Sequence, residues 1–412
     1  MSITFNGYDF IPGGVCAPAG FQASGVHCGL RKNRTKPDLA LIYSKAPCQA
    51  AAVYTQNKVK GAPLQVTKAH LAAGDIRAVI INSGNANTCN IDGEEKARMM
   101  CEAIAAELGI KETEVAVAST GVIGEILPIE PIREACPALK AGLRADGNED
   151  AALAIMTTDT VKKEFAVSFQ IGETTCHLGG MAKGSGMIHP NMATMLCFMT
   201  TDAAIDKELL QLALSAVTKD TFNMVSVDGD TSTNDMALIL SSGAAGNRCI
   251  ASMDSADYQT FLNALFTVMM NLSREIARDG EGATKLLECV VSGAKDECNA
   301  KIVAKSVITS SLFKSAMFGE DANWGRILCA VGYSEADLDI DQVEVSLKSA
   351  NGEILVCQNG RGVEFSEDTA KEVLRADEVQ IIIRLGDGTG KAVAWGCDLT
   401  YDYVKINGSY RT

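Results

Sequence analysis

Apolar residues fall in short runs punctuated by glycine, proline and asparagine, with one long helical stripe among them. Leu39 to Tyr43 and Ala50 to Tyr54 read as two strands broken by Lys45-Ala-Pro47. Ile76 to Ile81 is a β-branched strand that ends in the turn-rich Asn82-Ser-Gly-Asn-Ala-Asn87. A helix is expected from Gly93 to Leu108, a strand over 114–118, a helix over 149–156, and strands over 165–170 and 175–178. The central stretch, Gly179 to Asp202, joins a glycine-rich turn bearing Lys183 to a buried strand, Met195 to Met199. A helix over 207–218 and a strand over 223–227 follow. The strongest periodicity spans Asp254 to Arg278, where Phe261, Leu265, Met269, Leu272 and Ile276 recur at three- and four-residue spacing. Beyond it come a strand over 285–291, a long helical pattern to Phe318, a short helix over 327–332, and strands over 343–347, 353–357, 379–385 and 392–399. Strands and helices alternate without a strict βαβ rhythm and several apolar strands adjoin. The pattern therefore predicts an α/β fold of the layered α+β sandwich kind rather than a doubly wound parallel sheet.

Composition narrows the function more than the fold. A chain of 412 residues can bury two or three cores. Its net charge of -14 argues against nucleic acid or an anionic membrane surface as a partner, since both select clustered lysine and arginine. No apolar run approaches the roughly 18–20 residues of a membrane span. The first residues lack a basic, apolar or Arg-rich leader, so a cytoplasmic protein is expected. Fourteen cysteines are scattered without a C-x-x-C pair or a Cys/His cluster, which predicts no metal site. Cys101, Cys197, Cys289 and Cys329, in apolar surroundings, read as small buried hydrophobes.

The candidate chemistry centres on Thr194. A threonine opening a buried strand just after a Gly/Pro/Asn segment is where a strained peptide can undergo an N-to-O acyl shift. The freed threonine then carries its own α-amine as a general base. An ordinary β-branched strand residue is the plain alternative. Upstream, a strand runs into Ser119-Thr120-Gly121, which pairs a hydroxyl with an unhindered N–H, the kind of donor pair that could stabilise an oxyanion; taken alone, these residues read more simply as a plain strand-to-helix turn. Rival motifs fail on spacing. Gly180 to Gly184 lacks the Gly-Lys-Ser/Thr ending of a phosphate loop, and no Gly-x-Ser-x-Gly elbow accompanies the four histidines. Asp228 to Asp235 begins like a calcium loop, yet has Thr233 at the sixth position and Ile239 at the twelfth.

The segment Met181-Ala-Lys-Gly-Ser-Gly-Met-Ile188, followed by Ala193-Thr-Met-Leu196, resembles the self-cleavage region of the ornithine acetyltransferase (ArgJ) family. Similar segments recur along nearly the whole chain: Asn82 to Asn87, Thr157-Thr-Asp-Thr160, Asp228 to Asp235, Asp279-Gly-Glu-Gly-Ala-Thr-Lys285, and the end from Asn407 to Thr412. Two departures are local, Val161-Lys-Lys163 and Ala322, at places where the family tends to have proline.

The resemblance implies a two-domain N-terminal-nucleophile architecture of the ArgJ/DmpA kind, with domains at 1–260 and 261–412. It implies a self-inflicted cut between Ala193 and Thr194 into an α segment, 1–193, and a β segment, 194–412. Thr194 would be the nucleophile and Thr120 with Gly121 the oxyanion donors. Thr157, Lys183, Thr194, Glu281, Asn407 and Thr412 would contact substrate. The implied reaction moves an acetyl group from N-acetylornithine to glutamate by a ping-pong route through acetyl-Thr194, in arginine biosynthesis. No tightly bound cofactor is expected; whether acetyl-CoA also serves as donor is left open by the sequence. An α2β2 heterotetramer of cleaved chains in the cytoplasm completes the expectation. A self-cleaving amidase or aminopeptidase, and a non-catalytic amino-acid-binding protein, are the competing readings.

Overall fold

The computed structural model describes residues 3, 6–31, 33, 35–189 and 195–409. The strands, in chain order, are β1 (Asp9–Phe10), β2 (Phe21–Val26), β3 (Leu39–Tyr54), β4 (Ile76–Asn85), β5 (Val115–Val122), β6 (Lys163–Ile171), β7 (Thr174–Lys183) and β8 (Leu196–Thr201). They continue as β9 (Val225–Ser226), β10 (Met236–Ser241), β11 (Leu286–Ala294), β12 (Glu344–Ser349), β13 (Gly352–Gln358), β14 (Arg361–Gly362), β15 (Glu378–Arg384) and β16 (Gly390–Cys397). The helices are α1 (Ala62–Ala73), α2 (Gly93–Leu108), α3 (Glu130–Ala141), α4 (Asn148–Ile155), α5 (Lys207–Asp220), α6 (Ala256–Arg278), α7 (Glu297–Thr309), α8 (Ser311–Phe318), α9 (Trp324–Gly332), α10 (Glu367–Leu374) and α11 (Tyr401–Gly408). The fold is mixed α/β with two sheets.

Two compact units share the chain. One comprises Met1–Gly184, Pro190–Asn223 and Thr231–Leu272; the other comprises Ser185–His189, Met224–Asp230 and Ser273–Thr412. The first unit's sheet has the order β1-β6-β7-β8-β10-β3-β4-β5, with β2 paired to β3 off that path. Its middle strands are buried on both faces, which is why they read as near-continuous apolar runs. Ala40, Ile42, Val79, Ile81 and Ala116 enter one core with Leu64, Leu71 and Ile155. The alternate residues Leu39, Leu41, Ala78, Ile80 and Val117 enter a second core with Met100, Ile104, Ile132 and Leu139. Each of the larger side chains among these, the valines, leucines, isoleucines and Met100, contributes roughly 1.5–3 kcal/mol by leaving water.

Three features depart from the sequence reading. The two runs on either side of Lys45-Ala-Pro47 form one sixteen-residue strand, β3, because its register with β4 shifts between Tyr43 and Cys48 and the exposed irregularity absorbs the proline. The glycine-rich stretch before Lys183 is strand, not turn: β7 runs through Gly179 and Gly180. Gly179 is glycine because a Cβ there would stand 1.8 Å from the Gly14 carbonyl oxygen, and a Cβ on Gly180 would meet Met199 at 2.9 Å. The expected helix to Phe318 is two helices, because the Ser310 hydroxyl accepts from the Phe313 N–H and starts α8 afresh. Strand β10 and helices α1, α3, α10 and α11 were not anticipated.

In the second unit the order is β14-β13-β12-β15-β11-β16-β9. Here β11 is parallel to β15 and antiparallel to β16, and its buried Leu287, Cys289 and Val291 share a core composition with Ile381 and Ile383. Cys101, Cys197 and Cys289 are buried as expected, whereas Cys329 is exposed. Among the described residues no helix is long and apolar enough to cross a membrane.

Candidate active site

In the first unit, parallel β4 and β5 come together at their ends with Ser83 opposite Thr120 and Gly84 opposite Gly121, after which Asn85 faces both Thr120 and Val122. The backbones approach so closely that a Cβ on Gly121 would lie 2.3 Å from the Gly84 carbonyl carbon, and Gly121 has φ +134. Only glycine accepts that combination. Thr120 is half-buried beside it, on strand rather than on a turn after strand.

A buried polar frame fixes this corner. The Ser119 hydroxyl donates to Asn82 Oδ1 at 2.5 Å. Asn234 Nδ2 donates to the carbonyls of Ala86 and Ser119 at 2.6 and 2.9 Å, while its Oδ1 accepts from the hydroxyls of Thr88 and Thr233, both at 2.6 Å. All of its hydrogen-bonding capacity is used. The sequence reading treated Asn234 only as part of an acidic loop. Its position two residues before an apolar run, in a loop with several side chains able to bond backbone, was the available signal.

A second cluster surrounds Asp159. Lys183 is the last residue of β7 and pairs with Leu196 of β8. The Asp159 carboxylate is 3 % exposed; it accepts from Lys163 Nζ at 2.7 Å, from the Gly184 N–H at 2.7 Å and from the Thr157 N–H at 2.9 Å. Burial by itself would raise its pKa, but the charges of Lys163 and Lys183 and these hydrogen bonds hold it well below the ordinary carboxylate range. Asp235, also within reach of the Lys183 charge, behaves oppositely. Its complete burial outweighs that charge and the hydroxyls of Ser232 and Thr55, so its pKa is pushed well up. The structure thus brings Thr157 and Lys183 together through Asp159.

In the second unit, Glu281 is buried at 7 % exposure rather than solvated between its glycines. Asn407 Nδ2, on α11, donates to Glu281 Oε2 at 2.7 Å, and the Glu281 N–H donates to the Ser185 carbonyl at 3.0 Å. Gly186 passes so close that a Cβ there would meet the Glu281 carboxyl at 2.3 Å. Asp228 accepts from the Met187 and Ile188 N–H groups at 2.6 and 2.9 Å, so the start of the acidic loop holds backbone. His189 meets the Ser226 hydroxyl at 3.1 Å; burial, then the nearby Lys305, lowers its pKa to about 4. No group of three or more potential metal ligands occurs among the described residues. Ala193, Thr194 and Thr412 lie outside the described residues.

Comparison with known proteins places the chain among relatives along nearly all of its length. Residues 22–412 match the model of the ArgJ family. The arginine biosynthesis bifunctional protein ArgJ 1 of Clostridium acetobutylicum is 51% identical over 95% of this chain and 96% of its own length. The arginine biosynthesis bifunctional protein ArgJ of Bacillus subtilis is 50% identical over 98% and 97%. Among solved structures, the ornithine acetyltransferase of Mycobacterium tuberculosis complexed with ornithine is 40% identical over 45% of this chain and 100% of that chain, with a TM-score of 0.42.

Proposed function

The chain belongs to the ArgJ family and is an acetyltransferase of arginine biosynthesis, and we propose that it moves the acetyl group of N-acetylornithine to glutamate through an ester on Thr194, with acetyl-CoA as an alternative donor. The observation that carries this reading is the family match from residue 22 to 412 at about half identity to bifunctional relatives. Thr120 and Gly121 at the crowded end of β5 suit the oxyanion role. The buried Glu281 carboxylate, steadied by Asn407, suits the cationic amine of ornithine, and Lys183 suits a substrate carboxylate. Thr157 and Thr412 complete the proposed contacts.

Breaking the Ala193–Thr194 bond frees an α-amine that serves as base for the Thr194 hydroxyl. The hydroxyl attacks the acetyl carbonyl, and the Thr120 hydroxyl and Gly121 N–H hold the charge that develops on its oxygen. The carbon–nitrogen bond breaks and ornithine leaves with the proton. The glutamate amine then attacks the acetyl ester and departs as N-acetylglutamate, returning the proton to Thr194. The chain needs no tightly bound cofactor for either half. The cut yields fragments 1–193 and 194–412, which we take to assemble as α2β2 in the cytoplasm.

Intact-mass spectrometry of the purified protein tests the reading. Wild type is expected as two fragments meeting between Ala193 and Thr194. Thr194→Ala is expected as one full-length chain without transfer from N-acetylornithine to glutamate. A wild-type chain that stays whole yet transfers acetyl would remove the N-terminal nucleophile from the mechanism.

A further inference from the structure

At the end of β3 in the first unit lies a cleft of about 280 Å³, lined by Tyr54, Lys60, Leu64, Lys68, Gln211 and Ser215 among others. It exists because β3 is longer than its partners on one side. From Gln49 to Tyr54, β10 occupies one edge of β3, but pairing with β4 on the other edge stops at Cys48 opposite Ile76. Among the described residues no strand covers the Ala50–Tyr54 edge. At one residue a side chain substitutes for the missing strand: Gln211, on α5, accepts from the Ala52 N–H at 3.2 Å and donates to the Ala52 carbonyl at 3.1 Å.

Two further features give the cleft a chemical character. The Tyr54 hydroxyl is buried and has no hydrogen-bond partner among the described residues. Such an orphan costs roughly 1–3 kcal/mol, a deficit that a polar ligand atom would relieve. Lys60 and Lys68 are exposed and lie within ion-pairing distance of no carboxylate among the described residues, in a chain whose net charge is -14. The cleft therefore offers a strand edge to amides, a hydroxyl to a polar atom and two cations to phosphates. Its place in the sheet is also fixed. Tyr54 pairs with Met236, Met236 with Leu196 and Leu196 with Lys183. Tyr54 is thus two strand spacings, about 10 Å, from Leu196, which follows Thr194 by two residues in the chain.

We propose that this cleft is the docking site for the acetyl-CoA donor, with the two amides of the pantetheine arm along the β3 edge and the phosphates at Lys60 and Lys68. Amides spaced nearly as in a peptide pair with an uncovered strand edge as a peptide strand does. Two lysines supply point charges for phosphate oxygens. The inference rests on the acetyl-transfer reading above and extends it to the second donor. In the step served, the Thr194 oxygen bonds to the acetyl carbon, the carbon–sulfur bond breaks, and the hydroxyl proton passes through the Thr194 amine to the leaving sulfur, giving free coenzyme A thiol and acetyl-Thr194. The glutamate amine then takes the acetyl group as it does after N-acetylornithine.

Titration calorimetry with free coenzyme A and initial-rate assays with each donor test the assignment on the full protein. Lys60→Glu combined with Lys68→Glu is expected to weaken coenzyme A binding by about tenfold or more, and Tyr54→Phe, which keeps the ring, by a few-fold. Both variants are expected to raise the KM for acetyl-CoA while leaving transfer from N-acetylornithine within about twofold of wild type, a split that a general loss of structure does not produce. Failure of coenzyme A to bind wild type, equal binding to all three proteins, or a parallel fall with both donors would overturn the assignment. Absence of transfer from N-acetylornithine in wild type would instead sink the parent reading, and the calorimetry would still decide the cleft.

Discussion

A carboxylate that has lost its water persists as an anion only where donors replace the lost hydration, and Asp159 has three that link the Thr157 turn, β6 and the end of β7. Asp235, which senses the same lysine, lacks that company, and burial pushes its pKa well up. Lys183 thus faces two carboxyl groups whose pKa values are driven apart by their surroundings, the arrangement on which acid–base sites are built. Replacing Asp159 with Asn would leave Lys163, 1 % exposed, buried without its counter-charge, at a cost of about 3–5 kcal/mol. The pH dependence follows from the lowered pKa. Stability contributed by Asp159 is complete above the unfolded pKa of 3.8 and is lost as pH falls through the lower folded value. Denaturant titrations at pH 7 should therefore show Asp159→Asn strongly destabilised, with the gap to wild type narrowing only below about pH 4. A gap that closes already at pH 6 would show that the charge is not what matters.

At the scale of elements, β7 is a strand made possible by missing side chains. Gly14, in the loop before β2, lays its carbonyl where a Gly179 Cβ would go, and the Thr200 hydroxyl of β8 donates to the neighbouring Val15 carbonyl at 2.8 Å. Gly179→Ala should therefore cost about 3 kcal/mol or more, since the obstacle is backbone and cannot rotate away. Gly74→Ala, where nothing lies within 4 Å, should stay within about 0.5 kcal/mol in the same thermal unfolding series. The same contact explains why the stretch was misread. Glycine after glycine signals a turn when only neighbours are considered, and the reason for Gly179 lies far away in sequence at Gly14. Helices α2 and α6 were legible because their apolar spacing is a local property. Met236 to Ser241 was not, because a five-residue apolar run directly after a polar loop carries no period to read. The site divides in the same way. Thr120, Gly121, Lys183 and Glu281 were reachable through motif resemblance, whereas Asn234, Asp235 and Asp159 act through partners that only the fold brings near.

At the scale of the whole molecule, the proposed cut falls between β7 and β8, which are neighbours in one sheet. The leading fragment would hold β1 to β7, while β8 and β10 would belong to the trailing one, yet both are seated between β7 and β3. Two seams of six residue pairs each, β7 with β8 and β10 with β3, would join the fragments. The cleaved protein should accordingly elute as one species on size exclusion at neutral pH and separate only in denaturant. Fragments that part under native conditions would contradict this strand order. Neither fragment alone would possess the whole middle of the sheet, so each would leave strand edges that the other fills. On the proposed mechanism, the bond before Thr194 would work as a seal of inspection. A copy whose sheet had not closed would keep its nucleophile blocked by Ala193 and stay silent, so every active molecule would certify that its own folding was finished.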